Sequence, residues 1–200
     1  MTVHRSSLNV PYLRTSGPNG VYYEDTFWDD LRVAAESTRI NPATSKPDYG
    51  AFPVGATYTK TFLFDSSARE AVTFSVQIPH KYKLGTDLHP HVHYSPTVTD
   101  ATSKTITWEL NYRIANIDDA FAGSDTTLSQ TYTGATVANT HMLLGLGTIS
   151  GSVIDSISTM LVCALSRRGD TDTYGSDVAF LEFDFHFEVD SPGSRSEYVK

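Results

Sequence analysis

Three histidines alternate with apolar residues in segment 88–94, which reads L-H-P-H-V-H-Y. Because successive side chains of an extended strand point to opposite faces, His89, His91 and His93 are expected to share one face of a strand. Neutral imidazole is the commonest side-chain ligand of transition metals, so the triplet could hold a metal ion. It could also form a polar face, or meet its own copies around a symmetry axis.

A cupin metal site begins with a His-x-His strand and places a glutamate four or five residues after the second histidine. In this chain the corresponding positions carry no acid; they are Ser95, Pro96, Thr97 and Val98. Since a metal assignment needs a full set of ligands, we favour a polar or inter-subunit face over a metal site at the three histidines. No cofactor is predicted.

A second group of polar side chains lies near the end of the chain, where Glu182, Asp184 and Glu188 surround His186. Carboxylates around an imidazole could serve acid–base chemistry or bind Ca²⁺. These residues alternate strictly with leucine and phenylalanine, however, which is typical of a half-buried strand with one solvated face. We therefore predict a solvated face.

The tripeptide Arg168-Gly169-Asp170 has the spelling of an integrin-binding motif. It lies in the polar segment R-R-G-D-T-D-T-Y-G-S-D, where glycine and aspartate are typical of turns, so a loop between two strands is the simpler interpretation. Asp170, Asp172 and Asp177 could hold Ca²⁺ in the same loop, but their spacing alone does not predict such a site.

Composition excludes several classes of protein. The 200 residues are 40% hydrophobic, and 15 basic against 23 acidic side chains give a net charge of −8. A chain this acidic is a poor partner for nucleic acid, because phosphate contacts need clustered Lys and Arg. Its apolar runs are too short to span a membrane, and the first residues lack the apolar stretch of a signal peptide. The lone Cys163 indicates a buried thiol in a protein made in cytoplasm.

The chain divides into three parts by pattern. Residues 1–20 carry prolines and glycines without periodicity and are predicted to form an extended arm. Residues 21–56 are predicted to be a helix over 25–37 followed by a loop, both packing on the main domain. The helix prediction depends on a capping-box pattern at Thr26 and Asp29 and on apolar residues at helical spacing. Residues 57–200 form the main domain and a short C-terminal tail.

From residue 57 onward, period-two alternation predicts strands and no helix. Seven or eight such strands joined by turns indicate an all-β fold, an antiparallel β-sandwich of jelly-roll type. The strands are predicted over residues 58–64, 71–79, 104–115, 128–133, 140–149, 160–166 and 178–189. The predicted core contains Trp108, Leu110, Tyr112, Phe183, Phe185 and Phe187.

Three segments resemble a group of tailed-bacteriophage virion proteins: P-H-K-Y-K-L-G-T-D-L-H-P-H-V-H-Y over 79–94, W-E-L-N-Y-R-I-A-N-I-D-D-A-F over 108–121, and F-D-F-H-F-E-V-D-S-P-G-S-R-S-E-Y-V-K over 183–200. The segment 22–32, Y-Y-E-D-T-F-W-D-D-L-R, fits the same group. The resemblance implies a β-sandwich structural component of a phage particle, on the capsid surface or at the tail. It implies no catalytic residue.

The expectations that follow are a non-enzymatic protein, made in the host cytoplasm and located in the virion. Its partners would be its own copies, with a trimer favoured, and other virion proteins such as the major capsid or tail proteins. We expect neither nucleic acid nor membrane as a direct partner. Assembly is expected to use apolar residues of the arm and the histidine-bearing strand: Val10, Tyr12, Leu13, His89, His91 and His93.

Two other classes of function stay open at this point. One is a cupin-like metal-dependent enzyme that uses His89, His91 and His93. The other is a carbohydrate-binding sandwich of a host-adhesion fibre, which would present exposed aromatic side chains such as Tyr22, Tyr23 and Tyr132.

Overall fold

The computed structural model describes residues 13–15, 21–23, 26–197 and 200. Within them the chain is built from strands joined by loops and two short 3-10 turns, Ala35–Ser37 and Gly151–Val153. The strands are β1 Leu13–Thr15, β2 Val21–Tyr23, β3 Phe27–Ala34, β4 Arg39–Ile40, β5 Asp48–Ala51, β6 Lys60–Phe64, β7 Arg69–Gln77, β8 His89–Pro96, β9 Asp100–Ala115, β10 Thr126–Thr136, β11 Met142–Gly145, β12 Met160–Arg168 and β13 Val178–Val189. No helix in this part of the chain is long and apolar enough to cross a membrane.

Two antiparallel sheets pack face to face. One has the strand order β10-β9-β12-β7-β4, and the other has the order β11-β8-β13-β6-β5, with β3 added alongside β13. Counted along the chain from β6 to β13, eight strands are arranged 1-8-3-6 in one sheet and 2-7-4-5 in the other. This is the strand order of a jelly roll, so the predicted fold class is confirmed. Strands β1 and β2 pair with each other in a separate two-stranded sheet.

The predicted helix over residues 25–37 is wrong. Residues Phe27–Ala34 form β3, which pairs along its full length with residues 182–189 of β13. Without β3 this part of β13 would be a sheet edge with unpaired backbone N–H and C=O groups. Pairing over the whole strand outweighs the local preference for helix, which is a weak determinant of structure. Because β3, β4 and β5 all join the sheets, residues before 57 contribute strands to the sandwich itself.

Most predicted strands are present with shifted ends. The last strand has the predicted bounds, Val178–Val189. The strand predicted over 104–115 begins earlier, at Asp100, and the one predicted over 140–149 shortens to Met142–Gly145. Strand β8, whose ends were not predicted from the periodicity, carries the three histidines.

The core lies between the two sheets and is rich in aromatic side chains. Trp108 occupies its centre, with ring centroids 5.1 Å from Phe64 and 5.8 Å from Tyr94. Five of the residues predicted for the core are buried: Trp108, Leu110, Phe183, Phe185 and Phe187. Tyr112, the sixth, is partly buried and packs against the same cluster.

A buried ion pair closes one end of this core. Arg167 lies on the core-facing side of β12, and neither its side chain nor that of Asp172 has any exposed surface. Arg167 Nε and Nη2 donate to the two carboxylate oxygens of Asp172 at 3.0 and 3.1 Å. The guanidinium also donates to backbone carbonyls of Phe64, Tyr174 and Ser176. The loop that follows β12 is thereby fixed to β6 in the opposite sheet.

Candidate functional site

The three histidines of β8 lie on the outer face of their sheet. His89, His91 and His93 are partly exposed, whereas the residues between them are buried against the core. The alternation that the sequence predicts for this segment is confirmed. The imidazoles consequently point away from the space between the sheets.

Strand pairing brings a second set of polar side chains to this face. Asp184 on β13 lies directly opposite His91 on β8, and His186 lies opposite His89. On the other side of β13, Asp30 of β3 is the partner of His186. Opposed residues in adjacent antiparallel strands have Cβ atoms about 4.5–5.5 Å apart, so these side chains can touch.

Asp184, His91 and His186 converge on one point. The Nδ1 atom of His91 is 3.5 Å from Oδ1 of Asp184, and Nε2 of His186 is 3.6 Å from the same oxygen. One donor atom from each residue lies within 4.8 Å of the other two. The rings of His91 and His186 have centroids 4.1 Å apart. We call these three residues the His–Asp cluster.

His93 and His141 support the cluster from one side. Nε2 of His93 is 2.7 Å from Oδ2 of Asp184, and Nδ1 of His93 is 2.8 Å from Nε2 of His141. A carboxylate only accepts hydrogen bonds, so His93 donates from Nε2 and, when neutral, accepts at Nδ1 from His141. This chain of hydrogen bonds fixes the ring orientation of His93 and engages the Asp184 oxygen that faces away from His91 and His186.

Asp184 is buried, and its side chain is only 4% exposed. The prediction of a solvated face is therefore wrong at Asp184, because β3 and β8 flank β13 on both sides and their side chains cover it. Burial by itself raises the pKa of Asp184, but the interactions with His91 and His93 and the positive charge of neighbouring imidazoles outweigh it. The pKa lies below its ordinary value, and the carboxylate is charged at neutral pH.

Two buried polar atoms of the cluster have no hydrogen-bond partner within the described residues. They are Oδ1 of Asp184 and Nδ1 of His91. The 3.5 Å between them is longer than a normal hydrogen bond to an imidazole nitrogen. Buried polar atoms in folded proteins are nearly always satisfied, so this pair of atoms is an exception within the sheet.

A small residue, an aromatic ring and a carboxylate surround the cluster. Gly145 on β11 is the pairing partner of His91, and a Cβ built on it would lie 3.4 Å from the His91 ring. Trp28, which is 58% exposed, makes an edge contact with His89 at 5.4 Å between ring centroids. His186 Nε2 is also 3.2 Å from Oδ1 of Asp30.

The aspartates considered for Ca²⁺ after β12 have other partners. Asp172 is bound by Arg167 in the buried ion pair, and Asp170 accepts from Arg168 at 3.0 Å. Two of the three aspartates considered for Ca²⁺ are thus bound to arginines. The third, Asp177, accepts a hydrogen bond from the Thr97 hydroxyl at its backbone carbonyl. Arg168, the last residue of β12, pairs with Asp170, and the tripeptide leads into the predicted loop between two strands.

The predicted assembly residues of the arm are only partly described. Val10 and Tyr12 lie outside the described residues, and Leu13 begins β1, where it pairs with Tyr23. Among the aromatic residues proposed for glycan binding, Tyr132 is partly buried against the core and donates its hydroxyl to the Ala135 carbonyl.

Sequence reasoning found the histidines of β8 but did not join them to β13. His141 and Asp30 cannot be joined to this site from the sequence, because each is separated in the chain from the residues that it contacts. The sequence does contain one signal for this site. His186 lies among acidic residues on a strand that alternates with the same period as the segment of the three histidines. Only the strand register shows that Asp184, and not a residue of β8, is the acid beside His91.

Comparison with known proteins gives little support for any family. No protein-family model matches the sequence, and no curated protein matches it. A chain in the solved structure of infectious bursal disease virus, Gx strain, aligns with 13% identity and a TM-score of 0.29, covering 94% of this chain and 48% of that chain. The present chain thus spans about half the length of that viral chain. A likeness this distant carries no argument about function.

Proposed function

We propose that this protein is a non-enzymatic structural component of a bacteriophage particle, located on the head surface or in the tail. The observation that carries the proposal is a jelly roll whose interior is filled by its own side chains. Trp108, Phe64 and Phe180 have no exposed surface and contact one another between the sheets. A sandwich with a filled core has only its outer surfaces for contacts with other molecules, which suits a structural protein.

The jelly roll alone does not select a function, since it occurs in viral capsid proteins, lectins and cupins. A metal-dependent enzyme on this fold needs a concave, largely apolar pocket beside the metal in which to enclose a substrate. Here the three histidines of β8 lie on the outer face, where the hollow lined by Trp28, His89 and His186 is largely open to solvent, and the core behind them is filled. The arrangement therefore favours a structural protein over a cupin-like enzyme.

The segments that resemble phage virion proteins meet in space. The first contains most of β8 and the third contains most of β13, and these strands are neighbours in one sheet. The second begins within β9 of the opposite sheet, with Trp108 at the centre of the core. The resemblance thus falls on the centre of the sandwich and on its histidine-bearing face, which supports an assignment to the same class of protein.

The proposal includes assembly with copies of the chain, a trimer being favoured, and with major capsid or tail proteins. Two features support it. The hairpin of β1 and β2 precedes the sandwich and belongs to neither of its sheets. Trp28 and Phe27 on β3 are exposed apolar side chains at 58% and 41%, and such groups are frequent at protein interfaces.

The test is direct detection of the protein in purified particles. Particles induced from the source are banded on a density gradient, and their proteins are identified by mass spectrometry and by antibody labelling in the electron microscope. We expect the chain at constant stoichiometry to the major capsid protein, with label on the head surface or the tail. Recovery only in the soluble lysate, away from every particle fraction, would overturn the proposal.

A further inference from the structure

We propose that the His–Asp cluster binds one transition-metal dication, Zn²⁺ by preference, through Nδ1 of His91, Oδ1 of Asp184 and Nε2 of His186. This inference does not depend on the particle role. It differs from the metal site considered from the sequence, because two of its three ligands come from β13 and only one comes from the histidine triplet.

The first argument is the separation of the donor atoms. Zn²⁺ bonds to imidazole nitrogen and carboxylate oxygen at about 2.0–2.2 Å in tetrahedral geometry, which places two ligand atoms about 3.4 Å apart. The observed separations from Asp184 Oδ1 are 3.5 Å to His91 Nδ1 and 3.6 Å to His186 Nε2. The third pair, His91 Nδ1 and His186 Nε2, lies within 4.8 Å, and rotation of the imidazole rings would bring all three atoms to bonding distance of one ion.

The second argument is the unsatisfied pair of atoms. Asp184 is only 3% exposed, and its Oδ1 accepts no hydrogen bond from the described residues. A buried carboxylate oxygen without a hydrogen-bond partner is costly, and so is a buried imidazole Nδ1 without one. A bound cation would satisfy both atoms at once. The paired oxygen of the same carboxylate, Oδ2, is already satisfied by His93.

The third argument is the outer shell. Metal ligands are generally held by a further hydrogen-bonded residue that fixes their orientation. His93 plays this part for Asp184, and His141 in turn fixes His93. Asp30, at 3.2 Å from His186 Nε2, adds a second negative charge beside the proposed ion. The strand partner of His91 is a glycine, Gly145, which leaves room for the imidazole ring.

The donor set selects the class of ion. Two imidazole nitrogens and one carboxylate oxygen suit Zn²⁺ and neighbouring transition metals, whereas Ca²⁺ and Mg²⁺ prefer all-oxygen sites. With three protein ligands the fourth position stays open to water or to a side chain of another molecule. The ion would join β8 to β13 at the outer face of the sheet.

The rival explanation is a network of protonated histidines around Asp184 without an ion. To separate the two, the full-length chain is purified without an affinity tag, stripped with EDTA and titrated with Zn²⁺ by calorimetry, with the bound metal measured by elemental analysis. Co²⁺ is used as a second probe, because its visible absorption reports coordination by nitrogen and oxygen. Ca²⁺ and Mg²⁺ serve as competitors.

Four variants sharpen the test. Asp184→Asn and His186→Gln each remove one proposed ligand, and the second is a safeguard because His186 is partly exposed and its replacement disturbs folding less. His93→Gln alters only the outer shell. His89→Gln is the matched control: it lies on the same strand and face as His91 but outside the cluster. Circular dichroism confirms folding of each variant.

We expect one Zn²⁺ per chain, undisturbed by Ca²⁺ or Mg²⁺, and a higher melting temperature with Zn²⁺. Stoichiometric binding should be lost in Asp184→Asn and His186→Gln, weakened about 10- to 100-fold in His93→Gln and retained in His89→Gln. The proposal is overturned if the native chain binds no Zn²⁺, if folded His186→Gln and Asp184→Asn bind it as the native chain does, or if His89→Gln alone abolishes binding.

Discussion

His91 on β8 and Asp184 on β13 are directly opposed in the sheet, and Nδ1 of the imidazole lies 3.5 Å from Oδ1 of the carboxylate. Neither atom has a hydrogen-bond partner among the described residues. Because strands flank β13 on both sides, a carboxylate that would be solvated on an edge strand is buried here. This relationship makes Asp184 the centre of the polar face.

Replacing Asp184 by Ala should lower the free energy of unfolding even without metal. The change removes the hydrogen bond from the partly buried His93 Nε2–H to a charged carboxylate, and such a bond contributes about 1.5–3 kcal/mol. Urea unfolding in the presence of EDTA measures the effect. Glu182→Ala is the matched control on the same strand and face. Glu182 pairs with the largely exposed Arg32, so its loss should cost no more than about 1 kcal/mol.

Much of the fold could be predicted from the sequence because the strands of the core alternate cleanly. In β9 and β13, apolar side chains that face the core alternate with polar side chains that face outward. This alternation can be read from the residues of each strand alone. Trp108 and Phe185 are accordingly buried as predicted. The order of the strands in the two sheets is consistent with the predicted jelly roll.

Two features could not be predicted, for the same physical reason. Residues Phe27–Ala34 have apolar side chains compatible with either period, and their pairing with β13, more than 140 residues later in the chain, decides the outcome. The His–Asp cluster likewise depends on register. Periodicity shows that His91 and Asp184 each face outward, but only strand pairing places them opposite each other.

A pair of lysine substitutions tests the strand assignment of β3. Val33 is buried at 5% exposure, whereas Ala34 beside it is exposed. Val33→Lys should therefore lower the free energy of unfolding by about 3 kcal/mol, because it buries an unpaired charge. Ala34→Lys should stay within about 0.5 kcal/mol, since Ala34 lies opposite Glu182 on the solvent side. A helix with Ala34 on its buried stripe would give the reverse order in denaturant unfolding.

Glu70 should make stability depend on pH in a defined direction. Burial raises the pKa of Glu70 above its ordinary value of 4.5, and the like charge of Asp65 adds to this, although the Asp65 N–H donates to its carboxylate at 2.6 Å. The folded chain thus binds this proton more tightly than the unfolded chain. The resulting stability is fully present below the ordinary pKa and is lost as pH rises through the folded pKa.

Glu70→Gln cannot titrate and keeps an oxygen that can accept from the Asp65 N–H. We expect the free energy of unfolding of the native chain, relative to this variant, to increase as pH is lowered from 7 towards 4. Urea unfolding at a series of pH values measures the difference. Parallel pH curves for the two proteins would contradict the assignment of a raised pKa to Glu70.

Assembly should depend on the N-terminal segment. We expect the full chain to scatter light as a trimer and the chain without residues 1–20 to scatter as a monomer, because the deletion removes β1 and the apolar residues Val10, Tyr12 and Leu13. Circular dichroism should show the same β content for the sandwich in both. A monomer at high concentration, unchanged by the deletion, would contradict self-association of the isolated chain.

The ion pair of Arg167 and Asp172 should be the most sensitive polar contact in the core. Neither side chain has exposed surface. Asp172→Ala therefore leaves a buried guanidinium without its counter-charge, which costs about 3–5 kcal/mol when a buried pair is broken. Arg168 and Asp170 next in the chain form an exposed pair, so Asp170→Ala is the matched control with an expected cost below about 1 kcal/mol. Chemical denaturation measures both.

In the double variant Arg167→Met with Asp172→Ala, the loss should be smaller than the sum of the single losses, because no unpaired charge remains in the core. Additive losses would show that the two side chains stabilise the loop independently of each other.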